Sequence, residues 1–233
     1  MSLILSIETA TKLCSVALAR DGVVLALCEE ESEQNIHAEK LNVFIAQVMA
    51  EAECDLRKLD AVAVGIGPGS YTGSRIGLSA AKGLCFALDR PIIGISTLNT
   101  LCERAKEMGA TSMDSTDTFN PMVDARRMEV FAQPFDSEGM PLEEMAPLIL
   151  DEIWAGQEGV KRFVFGDGAD KATVLWKYQP TIVHISGVRP SAGAMAREAE
   201  RRFTAKAFND LAYLIPAYGK AANVTQSKKL PNS

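Results

Sequence analysis

Leu3-Ile-Leu-Ser-Ile-Glu-Thr-Ala-Thr-Lys-Leu-Cys-Ser-Val-Ala-Leu-Ala-Arg-Asp-Gly-Val-Val-Leu-Ala-Leu-Cys-Glu29 is the stretch on which the fold turns. Leu3 to Glu8, Cys14 to Arg20 and Val23 to Glu29 are short runs rich in Val, Ile and Leu. The last two are joined by the turn signal Arg20-Asp21-Gly22, so the three predict an antiparallel meander. From Ala38 to Ala52, apolar residues at Leu41, Phe44, Ile45, Val48, Met49 and Ala52 keep the spacing of an amphipathic helix. Asp60 to Ile66 predicts a buried strand, Gly67 to Gly73 a loop, and Ser74 to Leu88 a second helix. Pro91 to Ser96 predicts a fifth strand, and Thr97 caps a third helix that runs to about Met108. The order is β-β-β-α-β-α-β.

Gly109 to Asn120, rich in Ser, Thr, Gly and Asp, predicts a linker or exposed loop. Beyond it a weaker copy of the same order is expected: strands at Pro121–Asp124, Glu129–Phe135, Arg162–Phe165 and Thr181–Ile185, and a helix from Ser191 to about Phe208. Gln226 to Ser233 predicts a polar tail. The division is an N-terminal lobe over 1–108, a reduced C-terminal lobe over 109–208, and a terminal segment over 209–233.

The 233 residues are 47% hydrophobic and 23% charged, which supports a packed core and excludes wholesale disorder. A net charge of −6 gives the chain no footprint for nucleic acid or an anionic membrane. Five cysteines without a C-x-x-C pair predict reduced, mostly buried thiols. The N-terminus predicts a strand and not a signal peptide, and no apolar run is long enough to cross a bilayer, so a cytoplasmic location is expected.

Only two histidines exist, His37 and His184. No H-E-x-x-H or G-x-S-x-G motif is present, and surface or loop positions are expected for both histidines. The glycine loop Gly67-Pro-Gly-Ser-Tyr-Thr-Gly73 fails the P-loop pattern, because Ser74-Arg75 stand where Lys-Ser would be. It fails G-x-G-x-x-G at Thr72. Two readings stay open: a tight strand-to-helix turn, or a helix start whose free N–H groups hold an anion.

The second helix is apolar almost all round, with Arg75 and Lys82 its only charges. Gly73, Gly77 and Ala80, with Ile76 and Leu84 beside them, form a shallow strip that would admit another helix. Val43, Ala46 and Ala50 form a second strip on the first helix. A partner chain or the C-terminal part of this chain would cover them.

The turn Glu8-Thr-Ala-Thr11 places an acid and two hydroxyls, Thr9 and Thr11, where an actin-like ATPase holds phosphate. Glu8 and Ala10 stand there in place of the usual Asp and Gly. Asp124 ends a strand of the second unit. If both units share a ribonuclease H-like fold, Glu8 and Asp124 face one cleft, as a Mg²⁺ pair or as plain loop formers. Gly166-Asp167-Gly168 would be an adenosine-side turn.

Ile4 to Thr11 with Cys14 to Leu18, Gly65-x-Gly-Pro-Gly-Ser-Tyr-Thr-Gly-x-Arg-Ile-Gly77, and Asp124-Ala-Arg-Arg-x-Glu-Val130 resemble, in order, the bacterial TsaB (YeaZ) proteins. The resemblance implies an α/β, actin/Hsp70-like (ASKHA) fold of two ribonuclease H-like lobes with mixed sheets, the second reduced. It implies a non-catalytic scaffold in making threonylcarbamoyladenosine on tRNA. Such a scaffold pairs through its first-lobe helices with a catalytic TsaD-type paralogue, is joined by a TsaE-type ATPase, and forms a homodimer when alone. No catalytic residue, metal site or tightly bound cofactor is expected, leaving at most weak ATP, ADP or Mg²⁺ binding. The alternative is a free-standing ATP-binding phosphotransferase or ATPase built on Glu8 and Asp124. The chain departs from the family's usual P-x-Y-L-R ending, reading Pro216-Ala-Tyr-Gly-Lys220.

Overall fold

The computed structural model describes residues 1–34, 36–111 and 114–219. The polar tail expected over Gln226–Ser233, Lys220, and Ser112 in the linker lie outside them.

Strands β1 (Leu3–Glu8), β2 (Leu13–Arg20), β3 (Val23–Glu31), β4 (Ala61–Gly65) and β5 (Ile92–Ile95) form one sheet in the order β3-β2-β1-β4-β5. The meander is antiparallel, with Leu3 opposite Arg20 and Glu8 opposite Ser15, and β1, β4 and β5 run parallel. Strands β1 and β4 are buried throughout because both faces of this sheet are covered, while the edge strand β3 is largely exposed. Helices α1 (His37–Glu51) and α2 (Tyr71–Leu88) cover one face, packing Leu41, Phe44, Val48, Leu78 and Ala81 on Leu5, Ile7, Val16 and Val62.

A second sheet comprises β6 (Thr118–Asp124), β7 (Glu129–Ala132), β8 (Ala146–Ile149), β9 (Arg162–Phe165) and β10 (Ile182–Ile185), in the order β8-β7-β6-β9-β10. Its pairing repeats that of the first: β6, β7 and β8 antiparallel, β6, β9 and β10 parallel. The expected two ribonuclease H-like lobes are therefore present. The reduction falls on the helices of the second lobe, where α4 (Glu152–Ala155), α5 (Asp167–Asp170) and α6 (Thr173–Trp176) stand in place of the long α1 and α2. Strand β8 escapes the sequence because Ala146-Pro-Leu-Ile149 is a short, exposed edge carrying a proline and no alternation.

The remaining helices cross between the lobes. Helix α3 (Thr97–Glu107) follows β5, yet Leu98, Leu101, Cys102 and Ala105 pack on Phe119, Phe163 and Phe165 of the second sheet and on Phe135, which bridges to Phe119 just beyond β7. Helix α7 (Ala196–Thr204) follows the second lobe, yet Met195, Ala199 and Phe203 cover Ile4, Ala17, Ala63 and Ile93 on the far face of the first sheet. The division at residue 108 thus follows the sheets and not the cores.

Several boundaries move. Helix α2 starts at Tyr71 and not Ser74, because the Ser70 hydroxyl accepts from Gly73 N at 3.1 Å as an N-cap. The N-cap of α3 is Ser96 and not Thr97, whose hydroxyl turns inward to Glu8. The helix expected over Ser191–Phe208 is a 3-10 turn, Gly193–Met195, followed by α7. The linker ends where β6 begins at Thr118.

Residues Asn209–Gly219 form a strap over the free edge of the first sheet. Asn209 bridges to Ile92, its Oδ1 accepts from Gly94 N at 2.7 Å, and Leu211 and Leu214 join the first-lobe core. Farther on, Lys82 Nζ donates to the Ala212 carbonyl at 3.0 Å and Ala217 N donates to the Ile66 carbonyl at 2.7 Å. Gly219 lies flat against the Phe131 ring of the second lobe, where a Cβ would collide.

Candidate functional site

A cleft of about 540 Å³ opens between the lobes. The first lobe lines it with Ala10, Thr11, Lys12, Gly69 and Tyr71, and the second with Asp124, Arg126, Phe131 and Asp167. Asp124 and Glu8 are the last residues of β6 and β1, so the repeat puts them at matching points. Only Asp124 reaches the cleft. Glu8 is fully buried: Oε1 accepts from Ala10 N at 2.8 Å, Oε2 accepts from the Thr97 hydroxyl at 3.0 Å, and the bare Cα of Gly65 covers the carboxyl. Burial pushes its pKa up to about 7 against the partial relief of those hydrogen bonds. Asp124 instead pairs with Lys171, and its own N–H donates to Asp167 Oδ1 at 2.9 Å. The expected Glu8–Asp124 pair facing one cleft is not formed, because the alternation of β1 turns Glu8 into the interior beside Ile4 and Ser6.

The turn after β1 is occupied by its own chain. The Thr9 hydroxyl donates to the Gly73 carbonyl at 2.8 Å, and the Ala10 carbonyl accepts from Ser70 N at 2.6 Å. The Thr11 carbonyl takes the His37 Nε2 hydrogen at 2.8 Å. Gly69 sits directly on the Ala10 carbonyl, where no other residue fits. The glycine loop is thereby a tight strand-to-helix turn docked on the β1–β2 turn. Gly166 and Gly168 are spent in the same way, since a Cβ on either would run into Met122 of β6. Asp167 between them lines the cleft, with its pKa raised by burial.

His37, expected at the surface, is buried as the first residue of α1. The signal was present, since His37 lies four residues before Leu41 on the apolar stripe. Its Nδ1 has no hydrogen-bond partner among the described residues. His184 is half-buried with Nε2 2.9 Å from Asp170 Oδ1, and Arg189 joins the same carboxylate to Glu31 of β3. Sequence reasoning missed this tie between the lobes, because its members lie far apart in the chain.

The two helix strips fare differently. Val43, Ala46 and Ala50 lie on the exposed face of α1, with Val43 55% exposed. Gly73 and Gly77 do not face outward. A Cβ on Gly73 would strike the Thr9 carbonyl, and one on Gly77 the Thr9 hydroxyl, so both let α2 settle on the β1–β2 turn. Ile76, Ala80 and Leu84 are half-buried along the side of α2 that packs on the core, and the outermost positions are Ser79, Gly83 and Phe86. Ala38 and Leu41 of α1 with Ile76 and Ala80 of α2 line a groove of about 690 Å³.

A family model described as TsaD, tRNA N6-adenosine threonylcarbamoyltransferase, matches residues 29–155. The chain is 39% identical over 159 residues to the tRNA threonylcarbamoyladenosine biosynthesis protein TsaB of Escherichia coli K12, covering 66% of this chain and 59% of that one. It is 30% identical over 144 residues to the TsaB of Bacillus subtilis, covering 62% and 59%. The matches thus span about three-fifths of the length of these curated relatives. Among solved structures, YeaZ from Pseudomonas aeruginosa superposes with a TM-score of 0.77 at 26% identity, over 94% of this chain and all of that one.

Proposed function

Because the chain belongs to the TsaD-type family, on its TsaB (YeaZ) branch, we propose that it serves tRNA threonylcarbamoyladenosine synthesis as a non-catalytic subunit. It pairs with a TsaD-type catalytic paralogue, is joined by a TsaE-type ATPase, and forms a homodimer when alone, in the cytoplasm. The observation that carries this reading is the helix pair: the α1 strip of Val43, Ala46 and Ala50 stays open beside a groove floored by Leu41 and Ile76. An open apolar helix face is a docking surface for helices of matching shape. The cleft supports the non-catalytic part, because donors that a phosphate would need are already taken: Ala10 N–H by Glu8, the Thr9 hydroxyl by the Gly73 carbonyl and Ser70 N–H by the Ala10 carbonyl. The same reading assigns the cleft no tightly held nucleotide.

The test is pairing with a TsaD-type protein by size-exclusion chromatography. Ala46→Arg changes only the outer face of α1, so the variant should keep its fold by circular dichroism and lose the complex. Gly77→Glu is unsuited, since it drives a side chain into Thr9. An Ala46→Arg protein that pairs like the parent would overturn the interface. Micromolar ATP binding by the isolated chain would favour the phosphotransferase alternative.

A further inference from the structure

One side chain makes the helix groove chemically selective. The groove is lined by Ala38, Leu41, Ile76 and Ala80 with the polar His37, Asn42, Thr72 and Ser79, and Arg75 is its only Arg, Lys, Asp or Glu among the described residues. Along the other helices and turns, Arg57 is paired with Asp55, Arg104 with Glu107 and Arg201 with Glu198. Arg75 has no carboxylate within ion-pair distance among the described residues. Its guanidinium lies 3.9 Å from the centre of the Tyr71 ring, and Nε donates to the Tyr218 hydroxyl at 2.9 Å. Tyr218 in turn packs on Tyr71 with ring centres 5.3 Å apart. Two aromatic rings, one delivered by the strap, therefore hold a guanidinium at the groove wall in a fixed plane. That arrangement suits bidentate recognition of a carboxylate, because the planar fork is oriented before its partner arrives.

We propose that the occupant of this groove is an amphipathic helix of the TsaD-type partner bearing an Asp or Glu that pairs with Arg75, and that Tyr218 of the strap is the positioning residue for that contact. The proposal rests on the pairing reading above and adds the partner's chemistry to it. A nucleic-acid backbone offers anions too, but it would bring no apolar face for Ala38, Ile76 and Ala80, and it would meet a chain of net charge −6. A helix with small and apolar residues on one side and a carboxylate at its margin satisfies both floor and wall.

The experiment measures affinity of the full chain for the TsaD-type protein by calorimetry at low and high salt. Arg75→Gln should weaken binding by about tenfold and remove most of its salt dependence. Arg75→Glu should weaken it further, Arg75→Lys less than Arg75→Gln, and Tyr218→Ala should lie between the parent and Arg75→Gln. A purely structural role for Arg75 would lower the thermal midpoint without changing the salt slope. If Arg75→Gln binds with unchanged affinity and salt slope while Ala46→Arg abolishes pairing, the carboxylate proposal is overturned and the pairing reading stands. If the parent itself does not pair, both fall. If Arg75→Gln pairs normally but the complex loses retention of tRNA, the anion is a phosphate and the proposal is overturned.

Discussion

Glu8 is a carboxyl sealed from water, and its pKa near 7 makes stability depend on pH. The folded-state value lies above the unfolded one of 4.5, so the folded protein holds this proton more tightly. Stability is unaffected by the group below about pH 4.5, falls as pH rises through the folded pKa, and stays low above it. The loss is on the order of 3 kcal/mol. Glu8→Gln keeps an acceptor for Ala10 N and removes the charge, so its urea-unfolding free energy should be flat across this window where the parent's declines. An equal decline in both would show that Glu8 is not the titrating group. Glycines of α2 give a second test at the same scale. Gly83 has open space around it, so Gly83→Ala should stabilise by up to about 1 kcal/mol through helix propensity. Gly77→Ala gains the same propensity but strikes the Thr9 hydroxyl and disturbs its bond to Gly73. Overpacking of roughly 1–3 kcal/mol wins, and the variant should melt lower. Residues of this kind divide what the sequence discloses. The small residues of α2 were visible, but their direction was not, because a glycine reports that something comes close without saying which side it comes from.

Helix α2 poses the question of what covers a helix with so few charges. The sheet takes Leu78, Ala81 and Cys85; the β1–β2 turn takes Gly73 and Gly77; the strap takes Arg75 and Lys82. What is left is a narrow band that includes Ser79, Gly83 and Phe86, the last 83% exposed. The periodicity of α1 and α2, the strands of the first lobe and the strip on α1 were legible because each is a local pattern. The strap was not, since Asn209–Gly219 has no period and acquires its role from distant acceptors such as Ile66 and donors such as Gly94. Asn209→Ala leaves Gly94 N–H without its acceptor. The expected outcome is a loss of about 1–2 kcal/mol with faster hydrogen exchange at Gly94. Unchanged exchange there would mean that the strap is dispensable to the edge of β5.

Across the whole molecule, the repeated strand order sets the architecture: two like sheets face one cleft, and the long helices α1 and α2, proposed above as the docking face, belong to one of them. The second lobe was only partly visible in the sequence because its helices have four residues each, too few to show a period. The crossing of α3 and α7 could not be read from either half alone. Leu101→Ala, a change in the first half of the chain, should cost about 2–5 kcal/mol and loosen amide protection in β6 and β9 of the second sheet. Protection lost only in β1 and β4 would contradict the assignment of α3 to the second core.

The same crossing sets a timetable for the chain as it leaves the ribosome. The first sheet is fully synthesised at Ile95, but the helix that seals its far face begins at Ala196. At about 5–20 residues per second, Ile4, Ala63 and Ile93 stay uncovered for roughly 5–20 s. During that interval the nascent lobe presents an apolar sheet face with nothing of its own to close it, and chaperone capture should be concentrated there.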